Sequence, residues 1–250
     1  MIDTFRINGR SFRAGRPPRY EKFWGLVEQN RWEPATFQAL ETYLPAGGSY
    51  VDAGAWIGPT LLYAAGIAGR CTAFEPDPAA FAELRKNLEL NPELASRCTL
   101  RNSALTDHAG YISLTPPGEA GKSETSSLEP EAENTFRAKA VDAAAAFANE
   151  LADTDFLKMD IEGGEYATIP AMRGFLSTKR PVVLLSLHPQ MLAKAGCDPE
   201  KESLRLLSAF IGYTRLYSVG RDSLTEARDI RIGEQAGFAS VPQGTLLFLP

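Results

Sequence analysis

One segment of the chain spaces acidic residues and glycines in a way that suits the binding of a nucleoside. Asp52, Gly54 and Gly58 fall within it, and Glu75 follows 21 residues after Gly54. A glycine at a strand-to-helix turn lets the backbone bend tightly and approach a ligand, and a second one lets the helix pack near the strand. A carboxylate at the end of the next strand can accept hydrogen bonds from both hydroxyls of a ribose. These four residues therefore predict a nucleoside site.

The spacing of the two glycines separates two classes of nucleoside ligand. The chain has Gly-x-x-x-Gly, without the middle glycine of the Gly-x-Gly-x-x-Gly motif that lets a pyrophosphate sit against backbone N–H groups. Trp56 occupies this loop instead. A ligand with no phosphate and a positive sulfonium tolerates the loop and is favoured by Asp52, which indicates S-adenosylmethionine as the cofactor. A nicotinamide-dependent oxidoreductase and a non-catalytic module that binds the cofactor stay open as alternatives.

A second acidic group, Asp160, Glu162 and Glu165, falls where an apolar strand ends and a helix begins. Glu165 favours the positive N-terminal end of that helix, and Glu162 can help to cap it. Neither role explains Asp160, which we expect to lie at the cofactor and the reacting groups. Carboxylate oxygens are also ligands for hard divalent cations, so a metal, if one binds, is expected at these three residues.

His188 ends the most strand-like run of the chain, residues 180–187, and this strand is expected beside the one that ends at Asp160. Since adjacent strands lie about 4.8 Å apart, His188, Asp160 and Glu162 are expected to border one cavity. S-adenosylmethionine is a methyl donor, and a hydroxyl group that accepts its methyl group has to lose a proton to a base. An imidazole with an unperturbed pKa near 6.5 can accept that proton at neutral pH. His188 is therefore the first candidate for the general base, with Asp160 or Glu162 orienting the imidazole, binding the acceptor hydroxyl or holding a metal. The alternative is a structural histidine.

Strands and helices alternate along most of the chain, and this alternation predicts a doubly wound α/β fold. The expected strands cover residues 50–51, 70–75, 99–105, 155–159, 180–187, 213–219 and 244–249. The sheet is expected to be mostly parallel, with helices on both faces and an antiparallel C-terminal strand. Residues 111–114 are expected to return as a hairpin strand after the third of these strands. A helix is expected over 165–177, with Pro170 either bending it or setting its true start.

The N-terminal part has a different sequence pattern. Asn8-Gly9 predicts a tight type I′ turn between two short strands, and two helical stretches follow. We expect residues 1–45 to form a hairpin and helical extension of the cofactor-binding domain, residues 46–250. Within that domain, residues 116–135 hold three prolines and five glutamates, which predicts a mobile loop, either idle or a lid over the site.

The overall composition is that of a globular protein and argues against nucleic acid as a partner. Of 250 residues, 44% are hydrophobic and 23% charged, and the net charge is −5, whereas nucleic-acid-binding domains usually carry a basic excess. Residues 1–22 are the exception, with six basic residues against two acidic ones. This segment is either a solvated arm or, through Arg13, Arg16 and Arg19, a contact for an anionic acceptor.

Cysteine usage and hydropathy bear on the compartment. The three cysteines lack paired spacing, which indicates a reducing environment. No apolar run reaches the roughly 18–20 residues that a membrane span needs, and the N-terminus lacks the apolar centre of a secretory signal. We therefore expect a cytoplasmic protein without a membrane partner. The sequence predicts no oligomeric state.

Several segments resemble the FkbM-type methyltransferases, and the similarity covers roughly residues 45–190. The matching segments are Val51–Gly58, Phe74–Pro78, Ser103–Gly110 and Leu157–Glu165, with Asn87 and Asn91 between them. Many methyltransferases share the first segment. The Asp-x-Glu-Gly-x-Glu pattern of the last segment is far more particular to this family.

The resemblance implies a class I methyltransferase fold, S-adenosylmethionine as the cofactor and O-methylation of a sugar, a glycan or a polyketide-type natural product. It also implies roles for individual residues. Those expected to bind the cofactor are Asp52, Gly54 and Ala55 at the methionine portion, Glu75 at the ribose, Pro76 and Asp77 near the ribose and adenine, Ser103 and Ala104 beside the adenine, and Gly58 and Asp160 nearby.

Overall fold

The structure is a computed structural model that describes residues 1–116, 118, 121 and 125–250. Of the predicted loop at 116–135, residues 117, 119, 120 and 122–124 lie outside the described residues, and the prediction of a mobile loop or lid falls partly on them. None of the described helices is long and apolar enough to cross a lipid bilayer.

The N-terminal part forms the predicted hairpin, followed by two helices. Its elements are β1 (Ile2–Ile7), β2 (Arg10–Gly15), α1 (Glu21–Glu28) and α2 (Pro34–Tyr43). β1 and β2 pair antiparallel around Asn8 and Gly9, whose φ angles are 48° and 81°. Positive φ at both central residues is what a type I′ turn requires.

Strands and helices alternate through the rest of the chain. The elements up to residue 148 are β3 (Ser49–Ala53), α3 (Pro59–Ala65), β4 (Arg70–Phe74), α4 (Pro78–Glu89), α5 (Pro92–Ala95), β5 (Cys98–Arg101), β6 (Ala104–Thr106), β7 (Gly110–Leu114), β8 (Phe136–Asp142) and α6 (Ala143–Ala148). The later elements are β9 (Phe156–Met159), α7 (Glu165–Ala171), α8 (Arg173–Lys179), β10 (Val182–Leu187), α9 (Pro189–Lys194), α10 (Pro199–Leu207), β11 (Arg215–Val219), β12 (Leu224–Glu226), β13 (Ile230–Arg231), β14 (Gly237–Phe238) and β15 (Gly244–Leu249).

The main sheet has eight strands in the order β12-β11-β15-β10-β9-β3-β4-β5. The strands from β10 to β5 are parallel, and β15 is inserted antiparallel between β10 and β11. The predicted doubly wound fold, with its antiparallel C-terminal strand, is confirmed. The chain leaves β3 towards β4 and β5 and later returns to β9 and β10 on the other side of β3. Ligands bind at the carboxyl ends of strands where the strand order reverses in this way.

Two local predictions about the elements are wrong. The expected third strand, residues 99–105, is divided between β5 in the main sheet and β6 in a separate sheet of order β6-β8-β7. Asn102 ends the first part, because its side-chain amide donates to the carbonyl oxygens of Glu75 and Pro76, at 2.8 and 3.2 Å. β7 pairs with β8 and makes no hairpin with the third strand. The helix expected over 165–177 is divided into α7 and α8 just after Pro170, the residue at which a bend is expected.

Two buried asparagines, Asn87 in α4 and Asn91 just after it, fix the N-terminal hairpin to one face of the sheet. The side chain of Asn91 accepts from the backbone N–H of Arg13 and donates to its carbonyl oxygen, both at 2.7 Å. Asn87 accepts from the N–H of Gly15 at 2.8 Å and donates to the carbonyl oxygen of Ile57 at 2.9 Å. The hairpin is thereby tied to the loop between β3 and α3, which contains the first predicted motif.

Candidate active site

A cavity of about 950 Å³ opens at the carboxyl ends of the parallel strands, where the strand order reverses. Its volume lies near the upper end of the range for small-molecule sites, roughly 300–1,000 Å³. The described residues that line it include these sequence-predicted ones: Gly54, Ala55, Glu75, Pro76, Ala104, Asp160, Glu162 and His188. We call the part around Glu75, Pro76 and Ala104 the cofactor end, and the part around Asp160, Glu162 and His188 the catalytic end.

The loop after β3 lies directly on the chain that follows β9. Gly54 has a φ of 81°, and a Cβ atom there would overlap the carbonyl oxygen of Asp160. Glycine is required for this close approach, which places the loop against the catalytic end. Gly58 does not line the cavity; its φ is 94°, and Leu84 of α4 occupies the space that its Cβ would need. The structure therefore gives Gly58 a packing role.

Glu75 is held at the end of β4 by backbone donors. Its two carboxylate oxygens accept hydrogen bonds from the N–H groups of Trp56 and Asp77, each at 2.8 Å. Burial raises the pKa of Glu75 to about 7, although these hydrogen bonds oppose the rise. Each oxygen keeps a further lone pair, so the carboxylate can also accept from ribose hydroxyls in the cavity.

Asp52 lies behind the cavity wall instead of at its surface. Its fully buried carboxylate accepts from Thr60 Oγ1 at 2.7 Å and lies 3.3 Å from Lys158 Nζ. Thr60 and Lys158 line the cavity, so Asp52 reaches a ligand only through them. Burial opposes the charge of Lys158, but the nearby carboxylates of Asp52 and Asp160 outweigh it and raise the pKa of Lys158. The structure thus differs from the direct contact with methionine that the resemblance implies for Asp52.

Asp77 and Ser103 are also buried and outside the described lining of the cavity. One carboxylate oxygen of Asp77 caps α4 by accepting from the N–H of Ala79 at 2.7 Å. The other accepts from the N–H of Gly121 at 2.6 Å. Asp77 therefore supports the cofactor end without facing it, and Ala104, next to Ser103, forms the wall there.

The described parts of the loop at 116–135 are anchored at both ends of the cavity. The carbonyl oxygen of Gly121 accepts from Trp56 Nε1 at 2.9 Å, next to Glu75. At the catalytic end, Ser126 Oγ donates to the carbonyl oxygen of Glu162 at 2.5 Å. Glu162 has a φ of 51°, a left-handed conformation uncommon for a residue with a side chain. The contact with Ser126 helps to hold that conformation.

Glu165 positions His188 at the end of β10. Its Oε1 accepts from the backbone N–H of His188 and lies 3.0 Å from the imidazole Nδ1, while Oε2 accepts from the N–H of Gly163 at 2.9 Å. On the other side of the ring, Nε2 lies 3.6 Å from Asp160 Oδ1 and 3.5 Å from Glu162 Oε2. The structure brings His188, Asp160 and Glu162 together, because β9 and β10 are adjacent as expected.

The imidazole of His188 is stabilised as a cation. Burial lowers its pKa, but the hydrogen bond to Glu165 and the charges of Asp160 and Glu162 outweigh burial and raise the pKa to about 9. The sequence-based expectation of an ordinary pKa near 6.5 therefore does not hold. A base at this position needs a change in the local charge before it can accept a proton at neutral pH.

The same three side chains fit a divalent cation. Asp160, Glu162 and His188 each offer one ligand atom, and these atoms lie within 4.8 Å of one another. This set differs from the one expected from the sequence, because both oxygens of Glu165 are engaged by His188 and Gly163. A metal-bound histidine commonly donates its other ring N–H to a carboxylate, as Nδ1 does here.

Aromatic and charged residues that the sequence reasoning missed complete the wall. Phe23 and Trp32, from the N-terminal extension, line the cavity, and Phe23 packs edge-on against both Trp32 and Trp56 with ring centroids at 5.0 and 4.5 Å. Glu33 lines it as well. Nothing local in the sequence marks these residues. Lys158 has a detectable signal, since it is a charged residue inside an apolar strand.

The basic N-terminal segment is largely paired within the chain. Its ion pairs are Arg10–Glu41, Arg13–Glu93, Arg16–Asp3 and Arg16–Glu28. The described residues that line the cavity include none from 1–22. A contact of Arg13, Arg16 and Arg19 with an anionic acceptor stays a prediction, and the positions of these side chains give it no support.

Comparisons with known proteins show the family to which the chain belongs. A family model described as the methyltransferase FkbM domain matches residues 52–215. No curated protein matches at a significant level. Among solved structures, the methyltransferase FkbM from Methylobacillus flagellatus aligns with 92% of this chain and 59% of its own, at 16% identity and a TM-score of 0.49. The chain therefore spans about 59% of the length of that relative.

Two further solved structures are similar at a comparable level. The precorrin-6y C5,15-methyltransferase from Geobacter metallireducens aligns over 87% of each chain, at 17% identity and a TM-score of 0.44. A Streptococcus mutans protein assigned as a methyltransferase, solved in complex with SAH, aligns with 86% of this chain and 96% of its own, at 9% identity and a TM-score of 0.45. Since the family model covers more than half of the chain, the protein belongs to the FkbM methyltransferase domain family.

Proposed function

We propose that the protein uses S-adenosylmethionine to methylate a hydroxyl group of a sugar, a glycan or a small natural product. The observation that carries the proposal is that one cavity contains both Glu75, which can hold a ribose, and His188 with its two carboxylates, which can take a hydroxyl proton. Family membership favours methyl transfer over the hydride transfer of a nicotinamide enzyme. Polar side chains near the catalytic end, including Ser186 and Thr245, suit a hydroxylated acceptor.

In this proposal the cofactor lies along the carboxyl ends of neighbouring strands. Glu75 accepts the ribose hydroxyls, and Pro76 and Ala104 border the adenine. The close approach of the loop at Gly54 leaves room for the methionine portion beside it. The sulfonium then lies near Asp160, whose negative charge stabilises it.

Methyl transfer from a sulfonium is an in-line displacement. The acceptor oxygen forms a bond to the methyl carbon while the carbon–sulfur bond breaks, and S-adenosylhomocysteine (SAH) leaves with the electron pair. The hydroxyl proton goes to Nε2 of His188 or to a carboxylate of Asp160 or Glu162. A base contributes about 10²–10⁴-fold to such a step, and much of the remaining acceleration comes from positioning the oxygen.

Binding of the cationic cofactor prepares His188 for this role. The carboxylates of Asp160 and Glu162 help to keep the imidazole protonated. A sulfonium beside the same carboxylates offsets part of their charge and therefore lowers the pKa of His188. A larger fraction of the ring is then neutral and able to accept a proton when the methyl donor is in place, and this fraction falls again once the sulfur is the neutral thioether of SAH.

A divalent cation at Asp160, Glu162 and His188 is the second version of the mechanism, favoured by the spacing of their ligand atoms. When bound, such an ion lowers the pKa of an acceptor hydroxyl. His188 then acts as a ligand, and the two versions differ in their sensitivity to chelators.

The proposal is tested by measuring transfer of labelled methyl groups to glycans and small hydroxylated metabolites, with and without EDTA. The histidine version predicts that His188→Ala loses turnover, that SAH affinity survives and that EDTA has no effect. The metal version predicts inactivation by EDTA and loss of turnover in Asp160→Asn and Glu162→Gln. Full turnover in both His188→Ala and Glu162→Gln contradicts the catalytic end as described.

Calorimetry separates the other function classes. We expect SAH to bind and NADH not to bind. Binding of NADH alone contradicts the proposal in favour of an oxidoreductase. Binding of SAH without transfer to any acceptor of the panel favours a non-catalytic module.

A further inference from the structure

Glu33 is an acidic residue of the cavity that comes from outside the matched family region. It occupies the N-cap position of α2 with φ 43° and ψ 49°, a left-handed conformation that costs energy for a residue with a side chain. The side chain does not cap the helix; one carboxylate oxygen accepts from Thr36 Oγ1 at 3.1 Å. Local preference therefore does not explain this arrangement, and the tertiary surroundings must hold Glu33 at the cavity.

Glu33 lines the cavity together with Asp160 and Lys158. Burial and the charge of Asp160 raise the pKa of Glu33, while the charge of Lys158 lowers it. Lys158 is already engaged by Asp52. Glu33 and Asp160 are therefore two carboxylates that line one cavity and repel each other, and a ligand cation between them relieves that repulsion.

The strand order shows which part of the cofactor reaches this position. Glu75 follows β4, Gly54 follows β3, Asp160 follows β9 and His188 follows β10, and neighbouring strands lie about 4.8 Å apart. With the ribose on Glu75, the amino-acid portion of the cofactor extends over β3 and β9. It ends one strand short of His188, where the acceptor reacts.

We propose that Glu33 and Asp160 together bind the α-ammonium group of the methionine portion of the cofactor. The inference rests on the proposed function, because it assumes that S-adenosylmethionine occupies the cavity. An ammonium has three N–H donors and forms its strongest hydrogen bonds with carboxylates, so two converging carboxylates suit it. The N-terminal extension thereby supplies a cofactor-binding residue, and Trp32, packed on Phe23, supports its position.

The test compares two ligands that differ only in the amino group: SAH and its des-amino analogue, which keeps the carboxylate. Their dissociation constants are measured by calorimetry for the wild type, Glu33→Gln and Glu33→Asp. Glu28→Gln is the matched control, because it removes a charge from the same extension at an exposed ion pair with Arg16. Thermal unfolding checks that each variant is folded.

A hydrogen bond to a charged group is worth roughly 1.5–3 kcal/mol, so we expect Glu33→Gln to raise the Kd of SAH about 10- to 100-fold. The des-amino analogue already binds the wild type weakly, and its Kd should change less than about twofold in this variant. Glu33→Asp keeps the charge and should recover part of the preference for SAH. Glu28→Gln should bind both ligands as the wild type does.

Three results overturn the inference. Equal weakening of both ligands by Glu33→Gln shows a structural role, and unchanged SAH affinity with a raised acceptor KM assigns Glu33 to the acceptor. Failure of the wild type to bind SAH at all overturns the proposed function and this inference with it, whereas the first two results leave the proposed function intact.

Discussion

The two ends of the cavity hold their carboxylates in different ways. At the cofactor end, both oxygens of Glu75 accept from backbone N–H groups, so the side chain is fixed by neutral donors. At the catalytic end, Glu165, Asp160 and Glu162 surround a single imidazole. The first arrangement holds the carboxylate in one position, which suits the binding of hydroxyl groups. In the second, the pKa of His188 depends on the charges of the carboxylates around it, so we expect the protonation of His188 to respond to what binds.

The largest effect that separates the two ends concerns the only two histidines of the chain. His188 belongs to the catalytic end, and His108 lines the cavity near the cofactor end. We expect His188→Ala to lower kcat by about 10²–10⁴-fold, because the acceptor proton loses its base or the metal its ligand. His108→Ala should change kcat by less than about threefold and act, if at all, on the KM of the cofactor. Comparable loss of kcat in both variants contradicts the assignment of different roles to the two ends of the cavity.

The second prediction concerns the cofactor end. Glu75→Ala removes the acceptor for two ribose hydroxyls and should raise the Kd of SAH about 10²- to 10⁴-fold, at roughly 1.5–3 kcal/mol for each of two hydrogen bonds to a charged group. Glu75→Gln keeps one acceptor oxygen and should be affected less. Titration calorimetry on folded variants measures both. Wild-type affinity in Glu75→Ala rules out the ribose assignment.

The cofactor end was the easier one to predict from the sequence. Gly54 and Glu75 lie on consecutive strand ends, and their roles follow from local geometry: a positive φ, a close backbone approach and a carboxylate at a strand end. The adjacency of Asp160 and His188 could also be predicted, because alternating strands and helices imply that β9 and β10 are neighbours.

What the sequence did not predict depends on tertiary contacts. Glu33 reaches the cavity only because the N-terminal extension packs over the loop after β3, and no spacing rule connects it to Asp160. Asp52 lies behind Lys158 because β9 pairs with β3, which is also a tertiary contact. The raised pKa of His188 depends on three carboxylates that follow β9, the strand beside the one that ends at His188, so the unperturbed value was a poor guide.

The third prediction uses the titration of Glu75 to examine how the cofactor end affects stability. Its pKa is raised from the ordinary value of 4.5 to about 7 by burial. Between these values the folded protein keeps a proton that the unfolded chain has released, so the free energy of unfolding falls as the pH rises from about 4.5 to about 7. The loss should amount to at most about 3 kcal/mol.

Glu75→Gln is uncharged at every pH and should lack this loss. The measurement is chemical denaturation of the ligand-free wild type and variant at several pH values in that window. The raised pKa of His188 acts at higher pH and is common to both proteins, so it cancels in the difference. A difference between the two proteins that does not change from pH 4.5 to 7 contradicts the buried, raised-pKa carboxyl.

The smallest effect tests the charge coupling of the catalytic end directly. S-adenosylmethionine and SAH differ by one methyl group and one positive charge, so a comparison of the two ligands isolates the sulfonium. At an effective dielectric constant of about 20, a unit charge roughly 10 Å away is worth about 1–2 kcal/mol, or about one pKa unit.

We expect the pKa of His188, about 9 in the free protein, to be lower by about one unit with S-adenosylmethionine than with SAH. The ring signals of the two histidines, assigned with His108→Ala, report this by NMR titration. An identical pKa of His188 in both complexes means that the sulfonium does not act on Asp160 and Glu162, and the proposed preparation of the base by the cofactor is then wrong.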